Sequence, residues 1–118
     1  MRETFRPLER LRKKRDFESL YSTGNRYHGR YIILIFNPNN LNLSRLGVVV
    51  SKKHGGAVRR NRIKRWIRTL FRRNKDLLKT PLDLLIIPKK PILEIPWARL
   101  EEDYRAAIRH VTGPQEAP

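Results

Sequence analysis

Between Lys52 and Lys75 the chain reads KKHGGAVRRNRIKRWIRTLFRRNK, a run with 11 of its 27 lysines and arginines and no acidic residue. Like charges at that density repel across a small surface, so the run calls for a partner that neutralises it. It is also periodic. At about 100° per residue, Ile63, Trp66, Ile67, Leu70 and Phe71 fall within one arc of roughly 140°. Arg62, Lys64, Arg65, Arg68, Arg72 and Arg73 occupy the rest of the circle, with Asn61 near its middle. The spacing predicts an amphipathic helix within 52–75, its stripe anchored in a core and its cationic face turned outward. Any fold for this chain must therefore supply elements that cover that stripe.

Gly55 and Gly56 precede the periodic residues. Glycines there let the backbone turn tightly and approach a ligand closely. The free N–H groups of a helix start attract anions, and Lys52 and Lys53 just upstream add side-chain charge. No Gly-Lys-Ser/Thr follows the glycines, so a phosphate-binding loop of the Walker type does not fit.

The 118 residues suffice for one domain with a modest core, and a net charge of 27 − 11 = +16 implies a polyanionic partner. No apolar run approaches the ~18 residues that span a bilayer, and the first 17 residues lack the apolar core of a secretory signal. A membrane partner is not expected. The absence of cysteine excludes disulfides and thiolate zinc sites and fits a cytoplasmic protein.

In chain order, residues 1–11 read as a basic, flexible arm, residues 12–111 as the domain, and 112–118 as a disordered tail. Phe17, Leu20 and Tyr21 stand at i, i+3, i+4 in a helix expected over 12–23 and stopped by Gly24. A short edge follows at 25–28. RYIILIF at 30–36 is apolar on both faces and predicts a central strand. Residues 37–40 are a turn, and 45–51 form the next strand, for which antiparallel pairing with 30–36 is the simplest connection. LDLLIIP at 82–88 should lie parallel to 45–51, because a helix separates them. A last helix over 97–111 carries Trp97, Leu100, Tyr104, Ile108 and Val111 on one stripe. Its charges balance, which puts it away from the cationic face. The expected class is α+β, in the order α-β-β-β-α-β-α.

Protein nucleases use clustered carboxylates for metals or paired histidines for proton transfer. Asp16, Glu18, Asp76 and Asp83 are scattered here, and His28, His54 and His110 are isolated from one another. Nothing in this pattern cleaves a phosphodiester by itself, and no small-molecule substrate is expected.

The string Ser51-Lys52-Lys53-x-Gly55-x-Ala57-Val58-x-Arg60-Asn61-Arg62-Ile63-Lys64-Arg65 resembles the signature of the bacterial ribonuclease P protein subunit. Arg15-Asp16-Phe17-x-x-x-Tyr21-x-x-Gly24 extends the resemblance upstream, and it covers roughly residues 10 to 110. Two positions depart from the pattern: Gly56 where the family usually has Asn, and His54 where it usually has an apolar residue. The resemblance implies a mixed four-stranded sheet with a left-handed βαβ crossover, of the ribosomal protein S5 domain 2-like kind.

It also implies a subunit of a tRNA-processing endoribonuclease. In that enzyme the RNA subunit is the catalyst and holds the Mg2+ ions, and the protein itself binds no cofactor. Lys53, Arg60, Asn61, Arg62 and Arg65 would then contact ribonuclease P RNA. Phe17, Tyr21, Tyr31, Ile33, Ile35, Lys52, Lys64 and Arg68 would form a cleft for the single-stranded 5′ leader of precursor tRNA. A basic ribosomal protein that binds rRNA structurally is the main rival. A membrane-surface or calmodulin-type helix would need the Ile63, Trp66 and Leu70 stripe exposed.

Overall fold

The computed structural model describes residues 5–89 and 92–112. A four-stranded mixed sheet lies at its centre, built from β1 (Asn25–His28), β2 (Ile32–Pro38), β3 (Arg45–Val48) and β4 (Leu82–Pro88) in the order β1-β2-β4-β3. Helices α2 (Ala57–Arg73) and α3 (Trp97–Thr112) cover one face. Helix α1 (Lys14–Thr23) lies on the other.

The apolar runs of β2 and β4 account for this sandwich. Period-2 alternation sends Ile32, Leu34, Leu84 and Ile86 to the large core under α2 and α3. The intervening Ile35 and Leu85 face α1 and pack with Leu11 and Leu20 in a smaller core. The two strands run antiparallel with Ile35 opposite Leu85 and Leu34 opposite Ile86. β3 pairs parallel with β4, as expected for strands joined through a helix.

The antiparallel pairing expected between β2 and β3 is not made. β4 is inserted between them. Leu84, Leu85 and Ile86 are all completely buried, which only a strand flanked on both sides and covered on both faces achieves. β2 begins two residues later than its apolar run. The Asp103 carboxylate accepts the N–H groups of Arg30 and Tyr31 at 2.9 and 2.8 Å, holding both out of the ladder. The run 52–75 divides into a 3₁₀ turn at Lys52–His54, the α-helix, and a second 3₁₀ turn at Lys75–Leu77.

Ile63, Ile67, Leu70 and Phe71 are the buried residues of α2. At roughly 1.5–3 kcal/mol each, their burial outweighs the few tenths contributed by any surface charge pair, so the stripe fixes the helix's orientation. Trp66 is not in that core. It is half-buried at the rim, edge-on to Trp97 of α3 with ring centroids 5.5 Å apart.

The N-terminal residues differ most from expectation. Within the arm read as flexible, Phe5 to Leu11 are packed on the domain. The Phe5 ring meets Phe71 at 5.5 Å, and Arg10 forms an isolated parallel bridge with Leu46. The Leu11 N–H donates to the Leu46 carbonyl at 2.9 Å, and Leu11 is buried. Glu9 is buried too, its carboxylate 2.6 Å from the Lys75 ammonium. The segment turns through a 3₁₀ helix at Pro7–Glu9 and then meets the outer edge of β3 at Arg10 and Leu11. At the other end, Thr112 closes α3, and the tail expected beyond it lies outside the described residues.

Candidate nucleic-acid interface

Eight of the 17 residues of α2 are Lys or Arg and none is acidic. Because its apolar stripe is buried, the charge is spread over the whole solvent-facing half of the helix. Helical spacing puts Arg60, Lys64 and Arg68 along one flank, i, i+4, i+8, and Arg68 borders β3. Arg62 lies on the opposite flank, its guanidinium 6.0 Å from the Trp66 ring centroid. Asn61 and Arg65 are exposed between them. Lys53 lines a hollow on the Arg62 side with Arg59, Ile63 and Leu93. The five residues expected to contact one RNA therefore wrap around the helix and do not form one patch.

The turn before α2 is built from its odd residues. Gly55 has φ +114°, a conformation that favours glycine, and the Arg60 Nε–H donates to its carbonyl at 3.1 Å. Gly56 is extended, with nothing near the place of a side chain. His54 is buried, its Nε2 3.2 Å from the Pro88 carbonyl, which fastens the turn to the end of β4. An apolar residue would fill the same space without that bond.

On the other flank of the sheet, Phe17 projects from α1 onto β3. A Cβ on Gly47 would stand 2.8 Å from the Phe17 ring, so only glycine lets the ring lie this close to the strand. Phe17 and Arg68 border one groove of about 390 Å³, together with Arg10, Arg12, Gly47 and Val48. This groove joins α1, α2 and the N-terminal segment. Burial lowers the pKa of the Arg68 guanidinium, and the charge of Arg10 lowers it further. Arg45 of β3 links that strand to β4 and to α1. It donates two bonds to Asp83 at 2.8 and 2.7 Å and lies 3.6 Å from Asp16 of α1. The hydrogen bonds to Asp83 raise the Arg45 pKa, more than its burial lowers it.

The remaining expected cleft residues separate. Tyr21 stands one turn further along α1, 42% exposed, with Arg26 5.9 Å from its ring centroid. Ile33 is half-buried on the α1 face of the sheet, beside Val49 and Ile87, and these three form an apolar strip that the sequence reading named only in part. Ile35 is completely buried beneath α1 and offers no open floor. Tyr31 packs against the α2–α3 core, because its N–H is drawn to Asp103 of α3. Lys52 is exposed and Lys64 half-buried, both outside the groove that Phe17 borders. Arg10 was missed because a charged run reads as solvated tail, and Arg12 because it falls at the start of the expected first helix, whereas α1 begins at Lys14. Phe5 and Leu11, apolar residues within that run, were the signal that the tail packs.

The three histidines lie in three different settings. His54 is tied to Pro88, His110 lies against the Tyr27 ring at 4.6 Å, and His28 is on the exposed β1 edge. Asp16 and Asp83 are engaged by Arg45, Glu9 by Lys75, and Asp103 by backbone N–H groups.

Comparison with known proteins returns a single theme. The family model described as Ribonuclease P matches residues 5–112. The ribonuclease P protein component of Thermotoga maritima is 44% identical over 94 residues, 80% of each chain. That of Desulfatibacillum aliphaticivorans is 49% identical over 82 residues, 70% of each. Among solved structures, the T. maritima RNase P protein superposes with TM-score 0.81 at 36% identity, covering 89% of this chain and 99% of its own. The Staphylococcus aureus RNase P protein does so with TM-score 0.78 at 28% identity, covering 88% and 95%.

Proposed function

The chain belongs to the ribonuclease P protein family, and from that premise we propose that it grips both the catalytic RNA and the 5′ leader of precursor tRNA, leaving phosphodiester cleavage to the RNA. Membership implies a general role in tRNA processing and a ribonuclease P RNA as partner. The observation that carries the finer reading is the juxtaposition of Phe17 and Arg68 across one groove, an aromatic ring and a cation arranged for a base and a phosphate.

In this reading the outer face of α2, with Asn61, Arg62 and Arg65, holds the catalytic RNA. Arginine suits that task because its planar fork takes phosphate oxygens bidentately. Displaced counterions supply the affinity, so binding weakens with salt. Phe17, Tyr21 and the Ile33 strip receive leader bases by stacking and apolar contact, which requires no single base sequence. The dispersed histidines favour a positional role for the protein over proton transfer. Carboxylates already committed to Arg45, Lys75 and the Arg30–Tyr31 backbone do not fit a magnesium site of the protein's own, and the RNA would hold that ion.

Holoenzyme reconstituted with a bacterial ribonuclease P RNA tests this. Phe17→Ala and Tyr21→Ala should each weaken precursor tRNA by about 1–3 kcal/mol and leave mature tRNA, which has no leader, nearly unchanged. Equal losses for the two substrates would end the leader reading.

A further inference from the structure

Two hollows adjoin where the turn before α2 meets a 3₁₀ turn at Ile92–Glu94. The smaller, about 190 Å³, is lined by apolar Ile92 and Leu93 and by polar Lys53, His54, Arg59 and Glu94. The larger, about 410 Å³, shares Arg59 and Leu93 with it and extends past Val58 to Arg62. Neither shares a lining residue with the groove that Phe17 borders.

The polar groups of the smaller hollow are left open. A carbonyl can only accept, so the His54 Nε2 that meets Pro88 carries the ring proton and donates it. In the neutral imidazole Nδ1 is then an acceptor. It has no partner among the described residues, and it is not sealed away, since the Tyr104 hydroxyl is the one buried side-chain polar atom among them without a partner. Glu94 is exposed and makes no ion pair among the described residues, although Lys53 and Arg59 line the same hollow. Such a lining is not built for phosphate alone. A carboxylate on an RNA-binding face lowers affinity unless it accepts a hydrogen bond from the RNA.

At about 190 Å³ the hollow is smaller than the ~300–1,000 Å³ that house whole small ligands, so it takes one ring system of a larger molecule. Of the four RNA bases, only guanine sets two acceptors, O6 and N7, beside two donors, N1–H and the N2 amine. Building on the reading that α2 holds the catalytic RNA, we propose that this hollow seats one unstacked guanine of that RNA. Arg59 donates to O6 and N7. Glu94 accepts from N1–H and the N2 amine, whose second proton falls to His54 Nδ1. Leu93 and Ile92 meet the ring face. Lys53 and Arg62 take adjoining phosphates, and the neighbouring nucleotide covers Val58, which is 86% exposed.

The test reads affinity of the whole protein for catalytic RNA, and precursor and mature tRNA affinity of the reconstituted holoenzyme. Glu94 and Arg59 are exposed, so their truncation leaves the core intact, which an unchanged urea midpoint verifies. By charge alone, removing an acid from a chain of net charge +16 tightens RNA binding. The guanine seat requires the opposite: Glu94→Ala should weaken catalytic RNA about tenfold or more.

Catalytic RNA carrying sparse phosphorothioate-tagged inosine in place of guanosine locates the base, because inosine lacks the N2 amine. Selection for bound RNA should exclude inosine at one position with wild-type protein and admit it there with Glu94→Ala. Deazaguanosine lacking N7 should be excluded at the same position by wild type and admitted by Arg59→Ala. Unchanged or tighter binding by Glu94→Ala, or no position at which that variant relieves the exclusion, would overturn the seat. A loss confined to the precursor-to-mature ratio would place the base in the leader and overturn the catalytic RNA as its source. The wider reading fails separately, if Arg62→Ala and Arg65→Ala together leave affinity for catalytic RNA unchanged at every salt concentration.

Discussion

Gly55 and Gly56 are sequence neighbours with opposite demands. Gly55 occupies φ +114°, ψ −161°, and a Cβ there would stand 2.8 Å from Arg59 Cδ. Gly55→Ala should cost about 1–3 kcal/mol of stability, the usual scale for such a conformation. Gly56 is the N-cap of α2 in an extended conformation with open space around it. Gly56→Asn should be neutral or stabilise by a few tenths of a kcal/mol, since an Asn side chain can accept a first-turn N–H. Urea denaturation of both variants checks the contrast.

Tyr104 offers a second case at this scale. It is completely buried, burial raises the pKa of its phenol, and its hydroxyl has no hydrogen-bond partner among the described residues. Tyr104→Phe should therefore raise stability by about 1 kcal/mol, read as a higher urea midpoint with an unchanged slope. Sequence showed that Tyr104 belongs to the α3 stripe, because period 3.6 is a local property. It did not show that the hydroxyl would be stranded, nor that Ile35 would be sealed beneath α1. Both depend on which neighbour arrives from elsewhere in the chain.

At the scale of elements, the three helices and the strand segments were legible from periodicity and turn residues, and so was the parallel relation of β3 and β4. The placement of β4 between β2 and β3 was not, since adjacency in a sheet is set by which strand can be buried on every side. The docked N-terminal segment was also hidden, because Phe5, Leu11 and Glu9 find partners only in α2, in β3 and at Lys75. Its hold on the domain should depend on pH. Burial pushes the Glu9 carboxyl pKa up, but hydrogen bonds and charge from Lys75, with help from Arg6, outweigh this and leave it lowered. A lowered carboxyl pKa contributes stability that is present above the ordinary value of 4.5 and is lost as pH falls through the folded value. Hydrogen exchange at the Leu11 amide, corrected for intrinsic rate, should lose protection as pH drops below about 4.5. Glu9→Gln should show weak protection throughout.

For the molecule as a whole, +16 net charge sets the character of every association it makes. Arg65 is exposed on the outer face of α2 and makes no ion pair among the described residues. Arg65→Ala should leave the denaturation midpoint unmoved and reduce the slope of log affinity for catalytic RNA against log salt by about 0.7–0.9. Titrations at several ionic strengths provide that slope. A constant slope would mean that Arg65 faces solvent in the complex.

The central position of β4 has a kinetic consequence. It is the last strand among the described residues, yet it is the one on which β2 and β3 both depend for pairing. Leu34 must wait for Ile86 and Leu46 for Leu84, contacts separated by roughly 40 to 50 residues in order of synthesis. Until residues 82–88 leave the ribosome, the apolar run of β2 and the stripe of α2 have no permanent cover. The nascent chain is at that stage a cationic amphiphile with bare strand edges. Its repelling charges then serve a purpose apart from RNA, keeping unfinished chains away from one another until the keystone strand slides in.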